Sequence, residues 1–90
     1  MLFALTTTAK EVVAPSSADQ IVKFSAGKFA SSATSVYIRK VNTANPWLIL
    51  NAAGKSADQL LVPHGTQLEA YTDTGTADLA VVKACCTTSI

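Results

Sequence analysis

Ninety residues, with a formal net charge of +1, 49% hydrophobic and 14% charged side chains, leave room for one domain with one modest core. So weak a charge gives little attraction to nucleic acid or anionic lipid, and no apolar run approaches the roughly 20 residues that span a bilayer. A domain this small buries only about 60% of the surface its unfolded chain exposes, so an apolar, lightly charged one is expected to keep apolar surface for a neighbour.

In chain order, Met1 to Thr6 and Lys10 to Ala14 read as strands, followed by the break Pro15-Ser16-Ser17. Residues 17–26 have helical features, because Ser17 and Gln20 show capping-box spacing and Ile21 and Phe24 lie three apart. An internal repeat argues for a strand instead. Ser17-Ala18-Asp19-Gln20 recurs as Ser56-Ala57-Asp58-Gln59, each time before two aliphatics, and Pro63 stops any helix after the second copy. Gln20 to Ser25 is therefore expected to be extended. Ser25 to Ser35 is small and polar, a long loop anchored by Phe29.

Ser35 to Val41 alternates Val36 and Ile38 against Tyr37 and Arg39, as a half-buried strand does. Beyond the turn-forming Asn42-Thr43-Ala44-Asn45-Pro46, the run Trp47-Leu48-Ile49-Leu50 predicts a strand buried on both faces, or one whose outer face is covered. Turns follow at Ala53 to Ser56, at Pro63-His64-Gly65 in a type I arrangement, and at Asp73 to Thr76. They separate strands at Gln59 to Val62, at Gln67 to Thr72 and at Ala77 to Ala84. Turn signals spaced about 8 to 12 residues apart predict an all-β fold, a small antiparallel β-sandwich or barrel of roughly six to eight short strands. The single domain spans residues 1–90, with 1–14 as an N-terminal arm or edge strand and 85–90 as a C-terminal tail.

Chemistry is hard to place on this framework. The six acids are scattered, and the sole histidine, His64, lies in a Pro-His-Gly turn where it is expected to be exposed. One histidine and the vicinal Cys85 and Cys86 do not supply a zinc tetrahedron, and the four glycines form no phosphate-binding loop. No serine has an elbow motif. The expectation is a non-enzymatic protein with no cofactor, no metal and no small-molecule substrate. Neighbouring cysteines on a strand point to opposite faces, so two free thiols are expected. Met1-Leu2-Phe3-Ala4-Leu5 lacks the basic n-region and apolar run of a signal peptide, which leads to the expectation of cytoplasmic synthesis. Residues 1–55 hold six of the seven basic side chains and 56–90 four of the six acids, a dipolar arrangement suited to head-to-tail stacking if folding keeps the halves apart. One binding reading joins Trp47, Tyr37 and Tyr71 into an aromatic platform for a sugar or a single strand, with Arg39, Lys40 and Lys23 along its backbone as in an OB-type barrel.

The segments Ser35 to Asn42, Asn45-Pro46-Trp47-Leu48-Ile49-Leu50, Leu60 to Leu68 and Gly75 to Val82 together resemble short β-sandwich virion proteins of tailed bacteriophages, such as capsid cement or decoration proteins. The resemblance covers roughly residues 35–84 and is one of pattern: a V-x-I-x-x-V-N strand, an N-P turn, a P-x-G turn and a closing G-T-A-D strand. It implies a structural protein on the capsid surface, made in the host cytoplasm, whose partners are the major capsid protein and copies of itself. Candidate contacts are Leu2, Phe3, Leu5, Tyr37, Arg39, Trp47, Tyr71 and Ile90. The alternatives are another phage head or tail component, or a carbohydrate- or single-strand-binding module.

Overall fold

Period-two alternation of apolar and polar side chains is what gives each strand one dry face, and it recurs through the computed structural model. The structure describes residues 1–86, with side chains through Lys83. The strands are β1 (Leu2–Leu5), β2 (Lys10–Val13), β3 (Gln20–Gly27), β4 (Ser35–Lys40), β5 (Pro46–Asn51), β6 (Ala57–Val62), β7 (Leu68–Thr72) and β8 (Ala77–Cys86). No helix occurs among the described residues.

Two antiparallel sheets pack face to face, with strand orders β1-β8-β3-β6 and β2-β7-β4-β5. The pairs β1 with β8, β2 with β7, β3 with β6 and β4 with β5 nest one inside the next, like one long hairpin closed by the β4–β5 turn. The hairpin is then rolled so that β3 meets β8 and β4 meets β7. This is the jelly-roll arrangement of eight strands. The sandwich form of the expected fold is the one observed.

Leu5, Val22, Phe24 and Leu79 point inward from the first sheet, and Val13, Val36, Ile38, Leu50 and Leu68 from the second, each at most 1% exposed. Burying such a side chain stabilises the fold by about 1.5–3 kcal/mol relative to leaving it in water. In β2 a bulge between Glu11 and Val13 turns both Val12 and Val13 inward, so a four-residue strand still contributes two core residues.

The turns carry the backbone signs they require. Asn42 has φ 68° and Gly75 φ 69°, conformations that asparagine tolerates and glycine adopts without penalty. At Pro63-His64-Gly65 the expected type I turn is displaced: Thr66 N–H donates to the Pro63 carbonyl at 3.2 Å, which puts Gly65, φ 75°, third in the turn, where type II demands a positive φ.

Several expectations are corrected. Trp47 to Leu50 is not buried on both faces: Leu48 and Leu50 are 8% and 0% exposed, but Trp47 and Ile49 are 40% and 46% exposed. The reason is position, since β5 is an edge strand with no layer over its outer face among the described residues. The presumed loop from Ser25 begins later, because β3 continues to Gly27, while Phe29 does pack against the core. Of the two alternatives for residues 1–14 the edge strand is the one found, as β1 and β2, one per sheet. The tail expected from Cys85 starts too early, since Cys85 and Cys86 pair with Ile21 and Gln20 as part of β8. The cysteine side chains, and residues 87–90 with Ile90, lie outside the described residues. The charge halves are mixed by folding: Arg39 on β4 pairs with Glu69 on β7.

Two glycines separate backbone from packing effects. A Cβ on Gly75 would lie 2.9 Å from the Ala30 Cβ at a positive φ, whereas one on Gly27 meets nothing within 4 Å. Gly75→Ala is expected to destabilise the fold by more than about 1 kcal/mol and Gly27→Ala to leave it within about 1 kcal/mol of wild type, read by chemical denaturation. Phe24→Ala, which empties the largest fully buried site, should cost about 3–5 kcal/mol in the same assay.

Candidate functional site

The outer face of the β2-β7-β4-β5 sheet gathers most of the aromatic side chains singled out from the sequence. Alternation in β4 and β7 sends Tyr37, Arg39, Glu69 and Tyr71 away from the core, because Val36, Ile38, Leu68 and Ala70 occupy the inner face. Antiparallel register then sets Ile49, Tyr37 and Tyr71 in one row across β5, β4 and β7. A second row runs from Arg39 through Glu69 to Glu11. Trp47 is the extra residue of a bulge, since Ile38 pairs with Leu48 and Arg39 with Pro46, and its side chain stands exposed at the sheet edge.

Within this face the polar and aromatic groups satisfy one another. The Tyr37 and Tyr71 rings stack with centroids 5.4 Å apart and planes at 22°. The Arg39 guanidinium lies 4.5 Å from the Tyr71 ring centre, and its Nε donates to Glu69 Oε2 at 2.8 Å. The Glu69 carboxylate holds the Arg39 guanidinium more firmly protonated, with Tyr71 adding to the effect. The Gln67 amide donates to Glu11. An aromatic ring already covered by a neighbouring ring and a guanidinium has less face left for a base or a sugar.

The structure brings Tyr37, Arg39, Trp47 and Tyr71 together and leaves the other candidates elsewhere. Leu2, 65% exposed, faces outward from β1 in the opposite sheet, and Phe3 is half-buried against the core. Leu5 is corrected outright: at 1% exposure it is a core residue and offers no contact unless the sandwich opens. Lys23 projects from the outer face of the other sheet, so Lys23, Arg39 and Lys40 do not line one groove. Glu69 and Glu11 beside Arg39 further weaken the basic track that a single strand needs.

Sequence reasoning missed Ile49, Leu61 and Val82, which are 46%, 57% and 55% exposed. Each sits in an unbroken apolar run, where alternation of inside and outside leaves no polarity signal. On the first sheet a shallow depression of about 650 Å³ lies over Lys23, Ser25, Ala57, Gln59, Ala80 and Val82, floored by small side chains. A second, of about 430 Å³, opens where the sheets part near Phe3, Val12 and Val81. No group of three or more His, Cys, Asp or Glu able to hold a metal ion occurs among the described residues.

His64 is a tie between loops. Its backbone N–H donates to Asp19 Oδ1 at 2.8 Å, and its Nδ1 lies 2.9 Å from the same oxygen. Gly65 N–H donates to the Ser16 carbonyl beside it. No family model, curated protein or solved structure matches this chain.

Hydrogen bonds from the His64 backbone and ring hold the Asp19 carboxyl below its ordinary value of 3.8, and the Lys55 ammonium with the Gln59 N–H does the same for Asp58. A carboxyl depressed in the folded state contributes stability that is present above the unfolded pKa and lost as pH falls through the folded one. Stability is therefore expected to decline as pH drops below about 4, and Asp19→Asn and Asp58→Asn variants should each show a shallower decline in acid denaturation curves.

Proposed function

We propose that this chain is a non-enzymatic virion structural protein of the capsid cement or decoration type, binding the major capsid protein shell and stabilising it by mass action. What carries the reading is the exposure of Leu2, Trp47, Ile49, Leu61 and Val82, each 40% to 65% exposed, across the outer faces of both sheets. Large apolar side chains grouped on a surface, as Trp47 and Ile49 are on β5, support contact with a neighbour. Two further features support it. The pattern from Ser35 to Val82 resembles such virion proteins, and jelly rolls recur in viral capsids. The same fold also serves lectins, so the surface rather than the topology supports this choice.

The test is retention on particles. Expressed with the capsid proteins, the chain should sediment with particles in fixed stoichiometry and raise their resistance to heat. Trp47→Ser and Ile49→Ser together should lower retention by about tenfold or more while the free protein keeps its far-UV spectrum, since neither side chain lies in the core. Free protein at the top of the gradient, with particles equally stable without it, overturns the proposal.

A sugar- or single-strand-binding module is the second reading, favoured by the grouping of Trp47, Tyr37 and Tyr71 on one face. It requires that Tyr37→Ala or Arg39→Ala abolish affinity in a glycan and oligonucleotide screen.

A further inference from the structure

We infer that β6 is a seam through which two copies of this chain pair, antiparallel, about a two-fold axis at Gln59. Each sheet has two edge strands, and three of the four are short, bulged or both, which discourages pairing. On β1 the Lys10 ammonium donates to the Ala4 carbonyl at 3.0 Å. β2 is four residues long and bulged between Glu11 and Val13. β5 starts at Pro46 and bulges at Trp47. β6 instead runs six residues in unbroken register with β3, with no bulge and no proline inside it.

Register identifies the groups on its free edge. The Ala26 N–H donates to the Ser56 carbonyl at 2.8 Å, and the pairing continues in the same register through Phe24 with Asp58 and Val22 with Leu60. Hydrogen-bonded and non-hydrogen-bonded pairs alternate in an antiparallel ladder, so the main-chain groups of Ala57, Gln59 and Leu61 point away from β3. Among the described residues no backbone group bonds them from that side. The Gln59 N–H alone has a partner, the adjacent Asp58 Oδ1 at 2.8 Å, and Asp58 keeps Lys55 at 2.8 Å when a backbone carbonyl replaces it.

The occupant that fits this edge is the edge itself. Antiparallel pairing centred on Gln59 sets Ala57 against Leu61 of the second copy and Leu61 against its Ala57. The exposed leucine of each copy then stands beside the depression floored by Ala57, Ser25 and Ala80 in the other, large side chain against small. Charge permits it: an uncharged glutamine lies on the axis, and each Asp58 arrives already paired with its own Lys55. The two four-stranded sheets become one of eight strands, closing the unguarded edges by an isologous contact.

This contact is independent of capsid binding and is read on the isolated chain. Sedimentation equilibrium should show a monomer–dimer equilibrium, and Leu61→Lys should weaken it by at least about tenfold with the far-UV spectrum and dilute-solution thermal midpoint unchanged. In a Cys85→Ser, Cys86→Ser background, Gln59→Cys should join into dimers with a short bis-maleimide cross-linker and Thr74→Cys, exposed but remote, should not. A chain that stays monomeric to about 1 mM overturns the inference. So does a dimer that Leu61→Lys leaves intact, or one that cross-links equally at Thr74.

Discussion

The ladder between β3 and β8 is the interaction on which the architecture rests. Without it, β1 with β8 and β3 with β6 are two separate ribbons, each with two open edges and too little apolar surface to stand alone. Eight register pairs, from Gln20 with Cys86 to Gly27 with Asp78, join them into one sheet. That sheet brings Val22, Phe24, Leu79 and Val81 side by side on its inner face. The opposing sheet repeats the device through β4 and β7, and the core is what the two joined faces exclude from water.

Legibility in the sequence followed polarity contrast. In β4 and β7 the two faces differ, valine and isoleucine against tyrosine and arginine, leucine and alanine against glutamate and tyrosine, so strand, register and inner face could all be read. At Trp47 to Leu50, Leu60 to Val62 and Val81 to Val82 both faces are apolar, and a residue's side depends on which strands lie next to it. Ile49, Leu61 and Val82 were hidden for that reason. Leu5 fails in the opposite sense: at the end of Met1-Leu2-Phe3-Ala4-Leu5 it looks as available as Leu2, yet parity places it opposite Ala77, inside.

The candidate surface shows how one set of residues can be grouped by a fold and still be directed toward its own neighbours. Tyr37, Tyr71 and Arg39 converge as a platform requires, but ring stacks on ring, guanidinium on ring, and Glu69 takes the guanidinium's hydrogen bond. Such a cluster ties β4 to β7 in the middle of the sheet. The side chains left without a protein layer are the aliphatic and indole groups at its margin, where contact depends on shape and dehydration.

The nested order also sets a sequence of events in time. β8 is made after the other seven described strands, yet it lies between β1 and β3. As the chain emerges from the ribosome, β4 and β5 can close their local hairpin at once, while β1 waits more than 70 residues for Ala77 to Ala80. Throughout that interval the first sheet has a gap where its longest strand belongs, and the inner faces of β3 and β6 are open to other nascent chains. Closure of the first sheet therefore waits on β8, and the yield in a crowded cell depends on how quickly that strand slides into place.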